Sequence, residues 1–452
     1  MTDILAQTES VCPKCLARIP AQRVLDGENV YLEKQCDVHG SFRTIIWRGR
    51  PSLSDWQRTK IPAFPQYPLH VAERGCPYDC GLCPHHRQQT CCVLLEVTQR
   101  CDLNCPLCFA DSGKTDAQDL SLDAIAAWYQ RLLDVGGPYN IQLSGGEPSL
   151  RNDLPEIIRM GRALGFNYFQ LNSNGLRLAR DFDYLKRLKA AGLNSIFLQF
   201  DGTHDEIYRK IRGRAILQEK MRLIENCERL NVGVILVPVL IPGVNFDDIG
   251  NIIRLALEHM PIVRGVHFQP VSYFGRYPQA PCDESRITIP EVMRAIEVQT
   301  QGLISTSQFS PPTAEHATCS FHANFVQMKD GSLKSVRNEP EPGSCCQPID
   351  ALAAIKCSRQ FVAQYWSAAD RSAQVQLVAD DGFAAWDEFI ERRRTHTFCL
   401  SAMSFQDAWT LDMERLRQCK VHIASPNGML VPFCAYNLTN QLGEAIYRGQ
   451  VG

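Results

Sequence analysis

From residue 93 to residue 270 the chain alternates short apolar runs with longer stretches of helical period, and few folds accommodate that pattern. Runs of β type stand at residues 93–97 (VLLEV), 139–144 (YNIQLS), 168–172 (YFQLN), 195–200 (SIFLQF), 232–239 (VGVILVPV) and 266–270 (VHFQP). Between them lie LDAIAAWYQRLLDV, DLPEIIRMGRALG, DFDYLKRLKAAG, LQEKMRLIENCERL and FDDIGNIIRLALEH, with apolar residues at helical spacing. Strands that are apolar on nearly every residue are buried on both faces, and strands joined by helices run parallel. Six such units predict an α/β fold, a partial (β/α)6 barrel over residues 93–275.

In such barrels the loops at the carboxyl ends of the strands converge on one mouth. Here the first predicted strand leads into Cys101, Cys105 and Cys108, and the second into Ser144-Gly145-Gly146-Glu147-Pro148. The third leads into Asn172-Ser173-Asn174-Gly175, and the fourth into Gln199-Phe200-Asp201-Gly202. Three thiolates hold three irons of a 4Fe–4S cube and leave the fourth iron open to a further ligand. A glycine pair lets backbone come close to a small ligand, and Glu147 can accept from an ammonium group.

The spacing Cys-x-x-x-Cys-x-x-Cys occurs twice, at Cys76, Cys80, Cys83 and again at Cys101, Cys105, Cys108. The second copy follows a buried strand and precedes the Gly-Gly-Glu loop, which marks it as catalytic. The first follows the proline-rich RGRPSLSDWQRTKIPAFPQYP and reads as an auxiliary iron–sulfur segment within a linker, residues 51–92. Its fourth ligand is open between Cys91, Cys92, His85 and His86. Residues 1–50 form a separate unit, in which CPKC and CDVHG bracket a strand-like VYLEKQ. Two ligands on each of two turns is the layout of a rubredoxin or zinc-ribbon knuckle, so Cys12, Cys15, Cys36 and His39 are a Cys3His set for zinc or a single iron. Residues 276–452 read as a separate, cysteine-rich C-terminal region. There Cys419 and Cys434 bracket a Pro-Asn-Gly turn, and with Cys319 and Cys399 they are candidates for a second auxiliary cluster. Cys227 and Cys282 read as ordinary free thiols.

A formal net charge of −2 gives no support to a nucleic-acid partner. The N-terminus has no basic segment followed by an apolar one, and the greasiest run is short and broken by prolines, so the protein is expected in the cytoplasm without a transmembrane segment. In that reducing compartment twenty cysteines point to metals rather than disulfides.

The cysteine loop followed in order by the Gly-Gly-Glu loop resembles the radical S-adenosylmethionine (SAM) superfamily. That resemblance implies that Cys101, Cys105 and Cys108 ligate the catalytic cluster and that Gly145, Gly146 and Glu147 take the methionine amine. Ser173, Asn174, Gln199 and Asp201 match positions that meet the ribose or the carboxylate, and residues 237–242 would flank the adenine. It also implies cleavage of SAM to a 5′-deoxyadenosyl radical, hydrogen abstraction from an unactivated C–H bond, and a reductant such as ferredoxin or flavodoxin. The knuckle, the doubled triad CPYDCGLC…CDLNCPLCFADSG and the terminal VPFCAYN resemble one branch, that of the dihydrohydroxymethylpterin dimethyltransferases and tetraether lipid synthases. The expected activity is C–C bond formation, methylase-like on a small heterocycle. One alternative is coupling of lipid tails, with contact at a membrane surface. The other is a non-catalytic iron–sulfur electron carrier, against which the amine-binding loop argues.

Overall fold

In the computed structural model, which describes residues 2–66, 68–69, 71–113, 118–336, 348–369 and 384–449, the predicted strands form the centre of a larger sheet. Four antiparallel strands come first: β1 (Thr2–Val11), β2 (Arg18–Asp26), β3 (Asn29–Cys36) and β4 (Gly40–Arg48). The main sheet then takes β5 (Cys92–Thr98), β6 (Asn140–Gly145), β7 (Phe169–Ser173), β8 (Ser195–Gln199), β9 (Gly233–Val237) and β10 (Val263–Pro270), paired in parallel in that order. All seven residues of β5 are buried, as a strand covered on both faces requires. Helices α1 (Leu122–Asp134), α2 (Leu154–Ala163), α3 (Phe182–Ala191), α4 (Asp205–Arg212), α5 (Leu217–Leu230) and α6 (Ile249–Glu258) fall between these strands. Ser121 caps α1 by accepting from Ala124 N, and α3 ends on Gly192 in the left-handed region, so local signals and the apolar pattern agree on the boundaries.

The C-terminal region is not separate. Beyond α7 (Ile289–Gln299) it supplies β11 (Ser320–Gln327), helix α8 (Ala351–Tyr365), β12 (Thr397–Met403), β13 (Val421–Ala424) and β14 (Leu430–Pro432). β12 adds in parallel beside β10, and β13 in parallel beside β5. β11 and β14 then close the two flanks in antiparallel fashion. The centre of the main sheet is therefore a run of eight neighbouring parallel strands, the six read from sequence flanked by β12 and β13. A four-residue strand following a cysteine-rich turn carries too little pattern to be read alone. The linker is also partly structural, because Leu53 and Trp56 are buried in the main core.

The antiparallel unit docks on this C-terminal region. Arg23 Nε donates to Asp412 at 2.7 Å, and the buried Lys34 donates to Ser10 Oγ at 3.0 Å and Ala408 O at 2.7 Å. No helix among the described residues is long and apolar enough to cross a membrane.

Candidate active site

After β6 the chain turns back along the start of the cysteine loop, with Gly146 N donating to Thr98 O at 2.8 Å and Glu147 N to Arg100 O at 2.7 Å. A Cβ on Gly145 would stand 2.1 Å from Thr98 O, and one on Gly146 2.2 Å from Arg100 O. The sequence reading gives these glycines to a ligand. The structure gives them first to two backbone segments that must touch, and the effect is to fix Glu147 next to Cys101.

Glu147 is buried, and its carboxylate is held by its own loop and by the end of β7 with the loop after it. Oε1 accepts from Ser149 N at 3.1 Å and Ser173 Oγ at 2.7 Å, and Oε2 accepts from Asn174 N at 2.6 Å. Burial pushes its pKa up and these bonds oppose the rise. A carboxylate has about four lone-pair sites, so one is left for an ammonium group. The Asn174 side chain is spent on Asp102 Oδ1 at 2.6 Å. Ser173 and Asn174 thus act by holding Glu147.

A cavity of about 860 Å³ opens inside the curved sheet, lined by Cys101, Cys105, Cys108, Gly145, Gly146, Glu147, Ser173, Asn174 and Gln199. Val237 and Val239 also line it. The wall follows from strand alternation. On β6, Ile141 and Leu143 face the helices while Asn140, Gln142 and Ser144 face the cavity; β8 does the same with Phe197 and Gln199, and β10 with His267 and Gln269. Asn172 Nδ2 donates to Gln142 Oε1 at 3.3 Å, and His267 Nδ1 lies 2.8 Å from Ser401 Oγ. Gln199 Oε1 is buried with no hydrogen-bond partner among the described residues. A buried acceptor without a donor marks a place where a ligand belongs. At the far end Lys420 Nζ stands 2.6 Å from Glu315 Oε2. Burial alone would raise Glu315, but Lys420 and Ser320 outweigh it and hold the carboxyl near about 2.

Asp201 is placed elsewhere. It lies behind the cavity wall, fully buried, accepting from Arg212 Nε at 2.7 Å and Arg212 NH2 at 2.8 Å. Arg212 itself lines the cavity and reaches Cys105. Sequence reasoning missed this arginine, which sits at the end of a helix with no motif around it. It also missed Arg276, whose Nε donates to Cys105 O at 2.9 Å and whose NH2 donates to Ser112 O at 2.9 Å. Its position directly after the sixth predicted strand was the available signal. A Cβ on Gly275 would stand 2.4 Å from Cys108 O, so this loop and the cysteine loop are also in backbone contact.

Nine of the remaining cysteines fall in three groups. Cys12, Cys15, Cys36 and His39 lie on the β1–β2 and β3–β4 turns with their ligand atoms within 4.8 Å of one another, a donor set that fits one tetrahedral metal ion. Cys76 is in hydrogen-bond contact with Cys80 and Cys83. His86 lines the same small cavity as these three, whereas Cys91 and Cys92 line the barrel cavity instead. Cys419 and Cys434 flank the β13–β14 hairpin; Cys434 and Cys319 are near enough to push the Cys419 thiol up beyond the effect of burial, and Cys319 does the same to Cys434. Arg415 Nε donates to Cys319 Sγ at 3.0 Å. Cys399 is not with them: on β12 it faces Arg264 and Trp366, because its strand lies on the opposite side of the six-stranded core from β13. Cys227 is buried in α5 and Cys282 is exposed. Cys345 and Cys346 lie outside the described residues.

Residues 95–256 match the radical SAM superfamily, and residues 4–48 match the HMPTM N-terminal zinc ribbon domain. The chain is 33% identical to 7,8-dihydro-6-hydroxymethylpterin dimethyltransferase of Methanocaldococcus jannaschii, over 95% of this chain and 93% of that protein. It is 28% identical to GTP 3′,8-cyclase of Listeria monocytogenes over 40% of this chain and 55% of that one. Among solved structures, SuiB of Streptococcus suis bound to S-adenosylmethionine aligns with a TM-score of 0.39 and 12% identity, over 47% of this chain and 48% of that one.

Proposed function

The chain belongs to the radical SAM superfamily, in the family of the 7,8-dihydro-6-hydroxymethylpterin dimethyltransferases, and is a radical SAM enzyme of the C-methylating kind; we propose that it acts on a small nitrogen heterocycle held against the amides of the barrel wall. The observation that carries this reading is the row Gln142, Asn172 and Gln199 in an otherwise largely apolar cavity that Cys101, Cys105 and Cys108 also line. Amides offer donors and acceptors side by side, which match the ring nitrogens and carbonyl of a heterocycle. Gln142 and Asn172 already pair with each other and with Cys92 and Gln170, but a lipid tail would leave Gln199 Oε1 without a donor, at a cost of about 1–3 kcal/mol. That difference favours methylation of a heterocycle over lipid coupling.

We assign Cys101, Cys105 and Cys108 to the catalytic 4Fe–4S cluster. Three thiols on one loop, a carboxylate with a free lone pair and an orphaned Gln199 Oε1 fit such a cluster with SAM. When bound, these supply one-electron cleavage of the sulfonium and, from it, abstraction of hydrogen from a C–H bond. The protein's own residues do the rest. Glu147 takes the ammonium group, Ser173 and Ser149 keep that carboxylate oriented, and Arg212 sets positive charge against Cys105. Asp201, expected to meet the cofactor, acts by holding Arg212.

We further assign Cys76, Cys80 and Cys83 to one auxiliary cluster, Cys319, Cys419 and Cys434 to a second, and the Cys3His knuckle to zinc or a single iron. A ferredoxin- or flavodoxin-type reductant would supply electrons. Anaerobically reconstituted, reduced protein should form 5′-deoxyadenosine from SAM, and deuterium should pass into it from a labelled heterocycle. Expression in a host followed by lipid extraction is the opposing test: new membrane-spanning lipids would overturn the heterocycle reading. Three cubes require about twelve irons per chain, and an iron content near that of one cube would remove the auxiliary clusters.

A further inference from the structure

Around the Cys76 triad the structure sorts the candidate ligands. Cys91 and Cys92 face the barrel cavity, and His85 is exposed. His86 is buried and lines the same small cavity as Cys76, Cys80 and Cys83, with Leu416 and Pro432 on the other side. Its backbone N donates to Cys83 O at 3.0 Å, so a tight turn ties the ring to the third cysteine. The imidazole Nε2 lies 2.8 Å from Cys419 O. A carbonyl oxygen only accepts, so Nε2 carries the proton and Nδ1 carries the lone pair. No hydrogen bond to Nδ1 exists among the described residues. One ring nitrogen donating to a backbone carbonyl while the other stays free is how histidine ligands are held in their tautomer and orientation.

A second observation points to the same place. His422, on β13 opposite Pro432, is fully buried, and neither ring nitrogen has a hydrogen-bond partner among the described residues. Its ring centroid is 5.1 Å from that of His86, edge to face. A buried imidazole with both nitrogens unpaired is costly, and a polar group at this site would relieve it.

We propose that His86, through Nδ1, is the fourth ligand of an iron–sulfur cluster held by Cys76, Cys80 and Cys83, with His422 as a hydrogen-bonding neighbour of that cluster. The inference rests on the auxiliary-cluster reading of the triad. It explains why the doubled cysteine phrase does not make two catalytic sites: a histidine closes the iron that the Cys101 triad leaves open. It also gives the cluster a higher reduction potential than four thiolates would, as histidine ligation does in other clusters. The Nε2–H to Cys419 bond then links this cluster's ligand to the backbone of a residue in the second auxiliary group.

The test uses the full chain carrying Cys101→Ala, Cys105→Ala and Cys108→Ala, reconstituted with iron and sulfide and reduced anaerobically. Pulsed electron paramagnetic resonance, with and without 15N-histidine, should show a directly coupled histidine nitrogen. The coupling should disappear in His86→Cys with iron content unchanged and the potential lowered, and it should survive His422→Gln. A triad cluster with no histidine coupling overturns the assignment, as does coupling that survives His86→Cys. Failure of the underlying reading looks different: removing Cys76, Cys80 and Cys83 together would then leave the iron content unchanged. The isotope comparison needs no substitution at His86, so the proposal stays refutable even if His86 variants fold poorly.

Discussion

Replacing Asp201 by asparagine tests whether this carboxylate is part of the cofactor site or part of its frame. The Asp201 side chain is 0% exposed and that of Arg212 5%, and the two are joined at 2.7 and 2.8 Å. Solvent does not screen such a pair. An exposed ion pair is worth up to about 1 kcal/mol, but removing one partner of a buried one costs about 3–5 kcal/mol because a desolvated charge is left behind. Asp201→Asn keeps the shape and one oxygen, so the lower half of that range is expected, a few hundredfold (~10²–10³) in the opened population. Proteolysis in a urea series reads that population, and hydrogen exchange at Val239, whose N donates to Asp201 at 3.3 Å, reads it locally. Replacing both partners, Asp201→Leu with Arg212→Met, should recover most of the loss, since no unpaired charge remains. If Asp201→Asn leaves stability unchanged and weakens SAM binding tenfold or more, Asp201 touches the cofactor and the reasoning is wrong.

Three further outcomes follow from the same geometry. Glu147 must be ionised to take an ammonium group, and burial raises its pKa, so SAM affinity should fall as pH drops through a point above the ordinary carboxylate range; equilibrium binding against pH should show this limb, and Glu147→Gln should bind weakly with no such limb. Lys34 has its pKa lowered by burial from 10.5 to about 7. The unfolded chain thus holds that proton over a range where the folded chain has released it, and stability should rise from about pH 7 to 10 by up to ~1.4 kcal/mol per pH unit; the difference in urea midpoint between wild type and Lys34→Met isolates the slope. Gln199→Leu removes the orphaned acceptor Oε1 from the cavity. It should keep the fold, within ~1 kcal/mol by urea denaturation, while lowering label transfer from a heterocyclic substrate at least tenfold.

Much of the barrel was legible because period and burial coincide there. Val93, Leu95 and Val97 face the helices on a strand buried along its whole length, and the predicted strand bounds fall within a few residues of those observed. The cysteine triads and the knuckle were legible because ligand spacing is a local property of the chain. What sequence did not show depends on the other chain segment. Nothing near Asp201 announces Arg212, eleven residues on, and a glycine pair reads the same whether it admits a ligand or Thr98 and Arg100. Cys399 and Cys419 look alike as letters. They are separated by the order of strands in the sheet, which places β12 and β13 on opposite flanks of the six-stranded core.

That strand order also explains why the C-terminal region is inseparable from the chemistry. Without β12 and β13, both edges of the six-stranded core, β5 and β10, would present unpaired backbone groups. The segment that covers β5 carries Cys419 just before β13 and Cys434 just after β14, and Cys91 N donates to Lys420 O at 2.8 Å across this seam. One stretch of chain therefore completes the barrel, brings Lys420 to the cavity, and sets the Cys419 carbonyl against His86 beside the first triad. The neighbouring turn also receives the N-terminal unit, through the buried pair of Arg23 and Asp412. A change that loosens β13 from β5 would therefore disturb Cys419, Cys434 and the cavity together.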